Sequence, residues 1–254
     1  MTSSFCFATL ALRKPYREMA RALAEDLVRF APGKLLVIAT DEPREFADLQ
    51  NVRAHPHRQV GLFRCINDKR FALAIALEQY ASTVIFIDAD SRVRETLPQE
   101  FCLTSPLATT YTPNLGEQME KYLLPKEGKI VSQIARTFGV DISATPFVWD
   151  SSFAISRDNG REKVFFQVWG ILTRLFDYHG AWITDGYCMA LAAQVTGWTP
   201  SDKGLEEFDR CKHHAEVSAA GRNDAAWARA LRRISAWSRW VRYRRQILKA
   251  VISE

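Results

Sequence analysis

Short apolar runs alternate with helical stripes along the first ninety residues. FCFATLAL reads as a strand ending before Lys14-Pro15-Tyr16. From about Arg17 to Phe30, Met19, Leu23, Leu27 and Phe30 recur at helical spacing. Pro32-Gly33 breaks that stripe, and Leu35 to Thr40 is a second buried strand. Asn51 to Ala54 is a short third strand, followed by a loop rich in histidine and arginine. A helix from about Lys69 to Tyr80 leads into TVIFIDADSRV, a strand that runs out into Asp88-Ala89-Asp90. This alternation predicts an α/β domain with a mainly parallel central sheet flanked by helices.

The second half is harder to read. Met119 to Leu124 and Ile130 to Phe138 look helical, WDSSFAISRD (Trp149 to Asp158) contains another strand, and Tyr187 to Val195 is a helix. Residues 1–221 are expected to form one domain, with halves of about 1–110 and 111–221. Residues 222–254 form a basic amphipathic tail, in which Trp227, Leu231, Ile234, Trp237, Val241, Leu248 and Ile252 make one face.

Composition narrows the classes. The 254 residues are 47% hydrophobic and 25% charged, enough for a core and too apolar for disorder. The net charge of +5 is uneven: residues 222–254 hold nine Arg or Lys against two acids, a net +7, which leaves −2 for residues 1–221. That balance argues against nucleic acid as a partner of the main domain. Five scattered cysteines fit reduced thiols. MTSSFCFATLAL lacks a charged leader, and no apolar run is long enough to span a membrane, so the expected location is cytoplasmic.

In open α/β sheets, ligands bind beyond the carboxyl ends of the strands, where Asp88 and Asp90 sit. Residues i and i+2 of an extended segment point the same way, so these carboxylates repel unless a positive charge stands between them. A divalent cation, Mg²⁺ or Mn²⁺, suits two hard oxygen ligands. The plainer alternative is one aspartate capping a turn and the other solvated.

NDKRFALAIALEQYASTVIFIDADSRV resembles the nucleotide-sugar-binding half of the GT-A-fold glycosyltransferases, in which a helix with an early basic residue leads to a strand ending in a DxD motif. FATLAL followed by a tyrosine and a helix resembles their opening. WDSSFAISRD resembles a further strand of the family, entered through small polar residues, and FFQVWGILTRLFDYHGAWITDGYCMALAA resembles its acceptor-side helix, acidic loop and final helix. The likeness covers roughly residues 5–215. It implies metal-dependent transfer of a sugar, a hexose first, from a nucleoside-diphosphate sugar (UDP-sugar favoured) to a glycan or lipid-linked acceptor. It also implies Asp88 near ribose and metal, with Ala89 beside it, Asp90 on the metal, and Thr9 near the nucleotide. Asn67, Asp68, Lys69 and Arg70 match the segment approaching base, ribose or donor sugar; otherwise Asn67 or Asp68 caps the helix and Lys69 and Arg70 are solvated.

A third metal ligand would come from Lys212-His213-His214, His214 ahead of His213, although the family's glycine and lysine after the histidine are missing. Asp185 in ITDGY is the first candidate for an acceptor-side carboxylate acting as general base. Gly186 stands where the family often has a second acid, and an N-cap role for Asp185 is the alternative. Asp150 is the second candidate. Phe147, Trp149 and Trp182 could stack on sugar rings or be buried, while His55, His57 and His179 read as surface or loop groups. Rival readings are a haloacid dehalogenase-type phosphatase, against which Arg92 and the late position of the motif count, and a catalytically silent sugar-nucleotide-binding protein. Trp and Arg on the tail suggest peripheral attachment to an anionic membrane surface, the inner face of the cell membrane; the alternative is a terminal helix packed on the domain by its apolar face, with the arginines solvated.

Overall fold

The computed structural model describes residues 3–62, 65–214 and 237–245. Its chain order is β1 (Ser3–Ala11), α1 (Lys14–Phe30), β2 (Leu36–Thr40), β3 (Val52–Pro56), α2 (Lys69–Gln79), β4 (Ala81–Ile87), β5 (Ser91–Val93) and β6 (Leu107–Thr109). There follow α3 (Leu115–Tyr122), α4 (Pro125–Thr137), β7 (Ser152–Ser156), α5 (Arg161–His179), α6 (Asp185–Thr196), α7 (Glu206–Cys211) and β8 (Lys212–His214).

Six strands form one sheet in the order β3-β2-β1-β4-β7-β6. β1 to β4 run parallel, and β7 pairs antiparallel with both β4 and β6. The central strands are apolar on both faces because both are covered. Phe7, Ile38, Ile85 and Ile87 pack toward Leu23 and Leu27 of α1 and Phe208 of α7. Cys6, Ala8, Val84 and Phe86 pack toward α2, α5 and α6 on the opposite face. This is the mainly parallel α/β sheet that the alternation predicts.

Local chemistry sets the helix positions. Pro15 starts α1, where a missing N–H costs nothing, and Ala20, Leu23, Ala24 and Leu27 form its buried seam. Asn114 caps α3 by accepting the Glu117 N–H at 3.2 Å. In α6 the residues from Asp185 to Ala193 are all buried, so no polar face exists to give it a period.

Residues 237–245 are helical and lie against the domain. The Trp240 indole donates to the Tyr178 carbonyl at 3.1 Å, and Arg239 donates to the Leu62 carbonyl at 3.2 Å. Arg244 sits over both the Tyr178 and Trp240 rings, at 4.8 and 5.0 Å. The rest of the predicted tail stripe, Trp227, Leu231, Ile234, Leu248 and Ile252, lies outside the described residues. No helix among the described residues is long and apolar enough to cross a membrane.

Candidate active site

β4 delivers Asp88 and Asp90 to the carboxyl edge of the sheet, and the Ser91 N–H returns to the Asp88 carbonyl at 2.9 Å to turn the chain into β5. The positive charge beside Asp88 is a residue of the chain. Lys69, the first residue of α2, places Nζ 3.0 Å from Asp88 Oδ1 and donates to the Asp150 carbonyl at 2.7 Å. The amine also lies 5.0 Å from the Phe86 ring centroid. Burial alone would lower the Lys69 pKa, but the carboxylates of Asp88, Asp150 and Asp185 more than offset it and hold the amine protonated.

A second buried lysine approaches from the far end of the chain. β8 pairs antiparallel with β5, setting Lys212 opposite Val93, His213 opposite Arg92 and His214 opposite Ser91. Lys212 Nζ donates to Ser152 Oγ. Burial lowers its pKa, against the raising fields of Asp209, Asp88 and Asp90. His213 is exposed, and Arg92 across from it forks onto Asp26 at 2.5 and 2.7 Å. The His214 backbone thus pairs with the residue following Asp90, while its side chain lies outside the described residues.

The 67–70 segment differs from a solvated helix start. Asn67, Asp68, Lys69 and Arg70 are all buried. Asp68 occupies the N-cap position without a capping side-chain bond. Its carboxylate instead accepts from the N–H groups of Val60 and Gly61, at 2.7 and 3.0 Å, and meets His57 Nε2 at 3.1 Å. His57, read as a loop residue, is therefore one of the groups that fold the loop. Arg70 donates to the Asn67 carbonyl and lies over the Phe71 ring. Thr9 Oγ1, Asn67 Oδ1 and Ser91 Oγ are buried without a hydrogen-bond partner among the described residues.

Sequence reasoning passes over Tyr16 as a site residue. Its phenol is held up in pKa by burial, then by Cys65 and the two aspartates Asp90 and Asp88, against Arg13. The two aspartates are thus within electrostatic reach of the ring, which is 42% exposed. Its signal in the sequence is its position in the first turn of α1, the tyrosine that follows the first strand.

Asp185 is enclosed, at 0% exposure. It is the first residue of α6, behind an N-cap at Thr184, so the capping alternative fails. Neither carboxylate oxygen has a hydrogen-bond partner among the described residues. Burial raises its pKa well above the usual range while Lys69 pulls it down. The Trp169 indole also draws it down, yet no hydrogen-bond geometry is met between them and both remain unpartnered. Gly186 next to it has no room for a side chain, which explains the missing second acid.

Asp150 stands in the turn before β7. Lys69 holds its carbonyl, and Thr109 Oγ1 donates to the Trp149 carbonyl at 2.8 Å. The residue lines a cavity of about 1060 Å³ bounded by α3, α4, the α5–α6 connection and the 237–245 helix. Tyr122, Trp149, Trp182, Trp237 and Trp240 make much of its wall. Trp149 and Trp182 are 40% and 44% exposed, whereas Phe147 is buried at 5%. His179 also lines this space.

For a divalent metal, Asp88 and Asp90 offer hard oxygen donors of the right type. Among the described residues, no group of three or more His, Cys, Asp and Glu stands ready to hold an ion. The fit therefore depends on His214, whose backbone register brings it next to the motif.

No protein-family model matches the chain, and no curated protein matches it. Solved structures do. The chain is similar to the bifunctional glycosyltransferase WbbM in its apo form, with 13% identity and a TM-score of 0.48, covering 76% of this chain and 38% of that one. It is also similar to the galactosyltransferase LgtC in complex with donor and acceptor sugar analogs, with 12% identity and a TM-score of 0.47, covering 73% of this chain and 69% of LgtC. An active-site mutant of LgtC gives the same values.

Proposed function

We propose that the protein is a GT-A-type glycosyltransferase that moves a sugar, a hexose first, from a nucleoside-diphosphate sugar, UDP-sugar favoured, to an acceptor hydroxyl on a glycan or lipid-linked acceptor. The observation that carries this reading is Lys69, whose amine joins Asp88 at the carboxyl end of β4 to the main chain of Asp150 at the cavity. One cation thereby links a donor-side carboxylate to the main chain that carries the acceptor-side acid. Asp88, Asp90 and His214, with His213 the second choice, would hold Mn²⁺ or Mg²⁺, which supplies Lewis-acid stabilisation of the leaving diphosphate.

The chain's own residues divide the remaining work. Lys69 and Lys212, both buried, give the diphosphate fixed positive charge. Tyr16 and Thr9 border the nucleotide side, and Asn67, Asp68 and Arg70 belong to the segment that approaches base, ribose or donor sugar. Asp150, on the cavity, takes the proton of the acceptor hydroxyl. Asp185 acts through Lys69 as a positioning residue. Residues 222–254 supply positive charge for contact with an anionic membrane surface, and Arg242 and Arg245 are exposed.

A thermal-shift screen of UDP-, GDP-, CMP- and dTDP-sugars, with and without Mn²⁺, tests the reading. A bound donor at a hundredfold excess over its Kd adds about 2.7 kcal/mol of stability. The expected result is stabilisation by a UDP-sugar that needs Mn²⁺ and disappears in Asp90→Ala, with the variant's circular dichroism unchanged. Undiminished Mn²⁺-dependent binding in that variant would sink the proposal.

A further inference from the structure

We infer that the aromatic cavity beside Asp150 is a subsite for a saccharide acceptor of more than one ring, and that the 237–245 helix forms one of its walls. The inference rests on the glycosyl-transfer reading and narrows its acceptor.

Three observations converge. First, the cavity is continuous with the proposed reaction centre, because Asp150 belongs to both. At about 1060 Å³ it lies at the upper end of small-ligand sites and exceeds what a single sugar ring needs.

Second, the wall chemistry is mixed in the way a sugar requires. A pyranose presents a flat C–H face and a rim of hydroxyls. Tyr122, Trp149, Trp182 and Trp237 offer broad rings, all substantially exposed. Glu127, Lys126 and Gln118 stand among them as hydrogen-bonding groups. An alkyl chain laid over these polar and charged groups would strip their water without replacing it.

Third, the helix is fixed as a wall by its own contacts. Trp240 hydrogen-bonds to the Tyr178 carbonyl, and its indole lies 3.6 Å from where a β-carbon on Gly180 would stand. Gly180 has φ 69° and ends α5. Trp237 is three residues back on the same helix face and 63% exposed, and it lines the cavity with Trp240. Trp237 of the predicted tail stripe thus borders the acceptor space, together with Trp240.

Isothermal titration of the full chain with lactose, maltotriose, chitotriose and mannotriose tests this. A parallel arm measures co-sedimentation with anionic phosphatidylserine vesicles, and another measures the Mn²⁺-dependent UDP-sugar shift. The expected result is millimolar binding of at least one oligosaccharide, weakened at least tenfold in Trp237→Ala with the UDP-sugar shift unchanged. Trp237 is exposed, so this variant keeps the test valid even if Trp240→Ala loosens the helix. Absence of binding by every oligosaccharide, or binding indifferent to Trp237→Ala, overturns the inference. Vesicle binding that needs Trp237, without saccharide binding, assigns the ring to lipid instead. Loss of the UDP-sugar shift in the unaltered protein would count against the parent reading and leave saccharide binding separately measured.

Discussion

A β-carbon at Gly186 would stand 2.4 Å from the carbonyl oxygen of Val148 and 2.5 Å from Cζ of Phe147. The start of α6 is therefore pressed onto the strand-like segment that carries Trp149 and Asp150 to the cavity. One obstacle is main chain and cannot rotate away. Gly186→Ala is expected to cost about 1–3 kcal/mol in urea unfolding. A cost below about 0.5 kcal/mol would mean that this contact is loose.

Lys69 and Asp88 form a pair with the lysine buried and the aspartate partly open to solvent. Lys69→Met leaves Asp88 without its partner and the Asp150 carbonyl without its donor. Removing one member of a fully buried pair costs about 3–5 kcal/mol, and the access of solvent to Asp88 should bring this nearer 2. Pairing with Asp88→Asn in a double-mutant cycle should show coupling of about 1 kcal/mol or more. Strict additivity would show that the two charges do not sense each other.

Asp177, near the end of α5, accepts the Leu62 N–H at 3.1 Å. Burial lifts its pKa to about 6 in spite of that bond, and Asp68 adds to the rise against Arg70. Between about pH 4 and 6 the folded chain keeps a proton that the unfolded chain has released. Stability must then fall as pH rises through that window and level off above it, by up to about 3 kcal/mol. Asp177→Asn should remove that part of the slope when unfolding is compared at pH 4.5 and 7. A slope identical to the unaltered protein's refutes the assignment.

Under the proposed reaction, Asp150→Asn should lower turnover by about two to four orders of magnitude with donor affinity intact. Asp185→Asn should instead move the pH profile, because it changes the field on Lys69 without touching the acceptor. If Asp185→Asn shows the larger loss of turnover and no displacement of the profile, the two roles exchange.

Much of this was legible because local chemistry and fold agree. The strands ending at Thr40 and Ile87 announce themselves as apolar runs, and the helix from Lys69 follows its apolar spacing. The seam of α1 is less so. Met19 and Phe30 mark the predicted stripe, but Ala20 and Ala24 do the close packing, and alanine carries little signal. β5 and β8 have three residues each, too short for any period. The charge state of the site was also hidden. Sequence spacing brings Asp88 and Asp90 together, but that Lys69 and Lys212 converge on them depends on pairings 19 and 124 residues away from Asp88, which only the folded topology sets.

The β5–β8 ladder has a consequence for how the protein is made. Its partners are separated by more than a hundred residues, so every earlier strand can pair while the ribosome still holds the chain that will meet β5. Until Lys212 emerges, the aspartate motif has one buried lysine near it in place of two, and Ser91 has no strand opposite. The nascent protein thus carries a finished sheet and an unfinished surrounding for Asp88 and Asp90. Under the proposed reaction, competence to bind donor should appear late in synthesis, as a single closing event, and a chain halted before residue 212 would fold much of its core yet bind donor poorly.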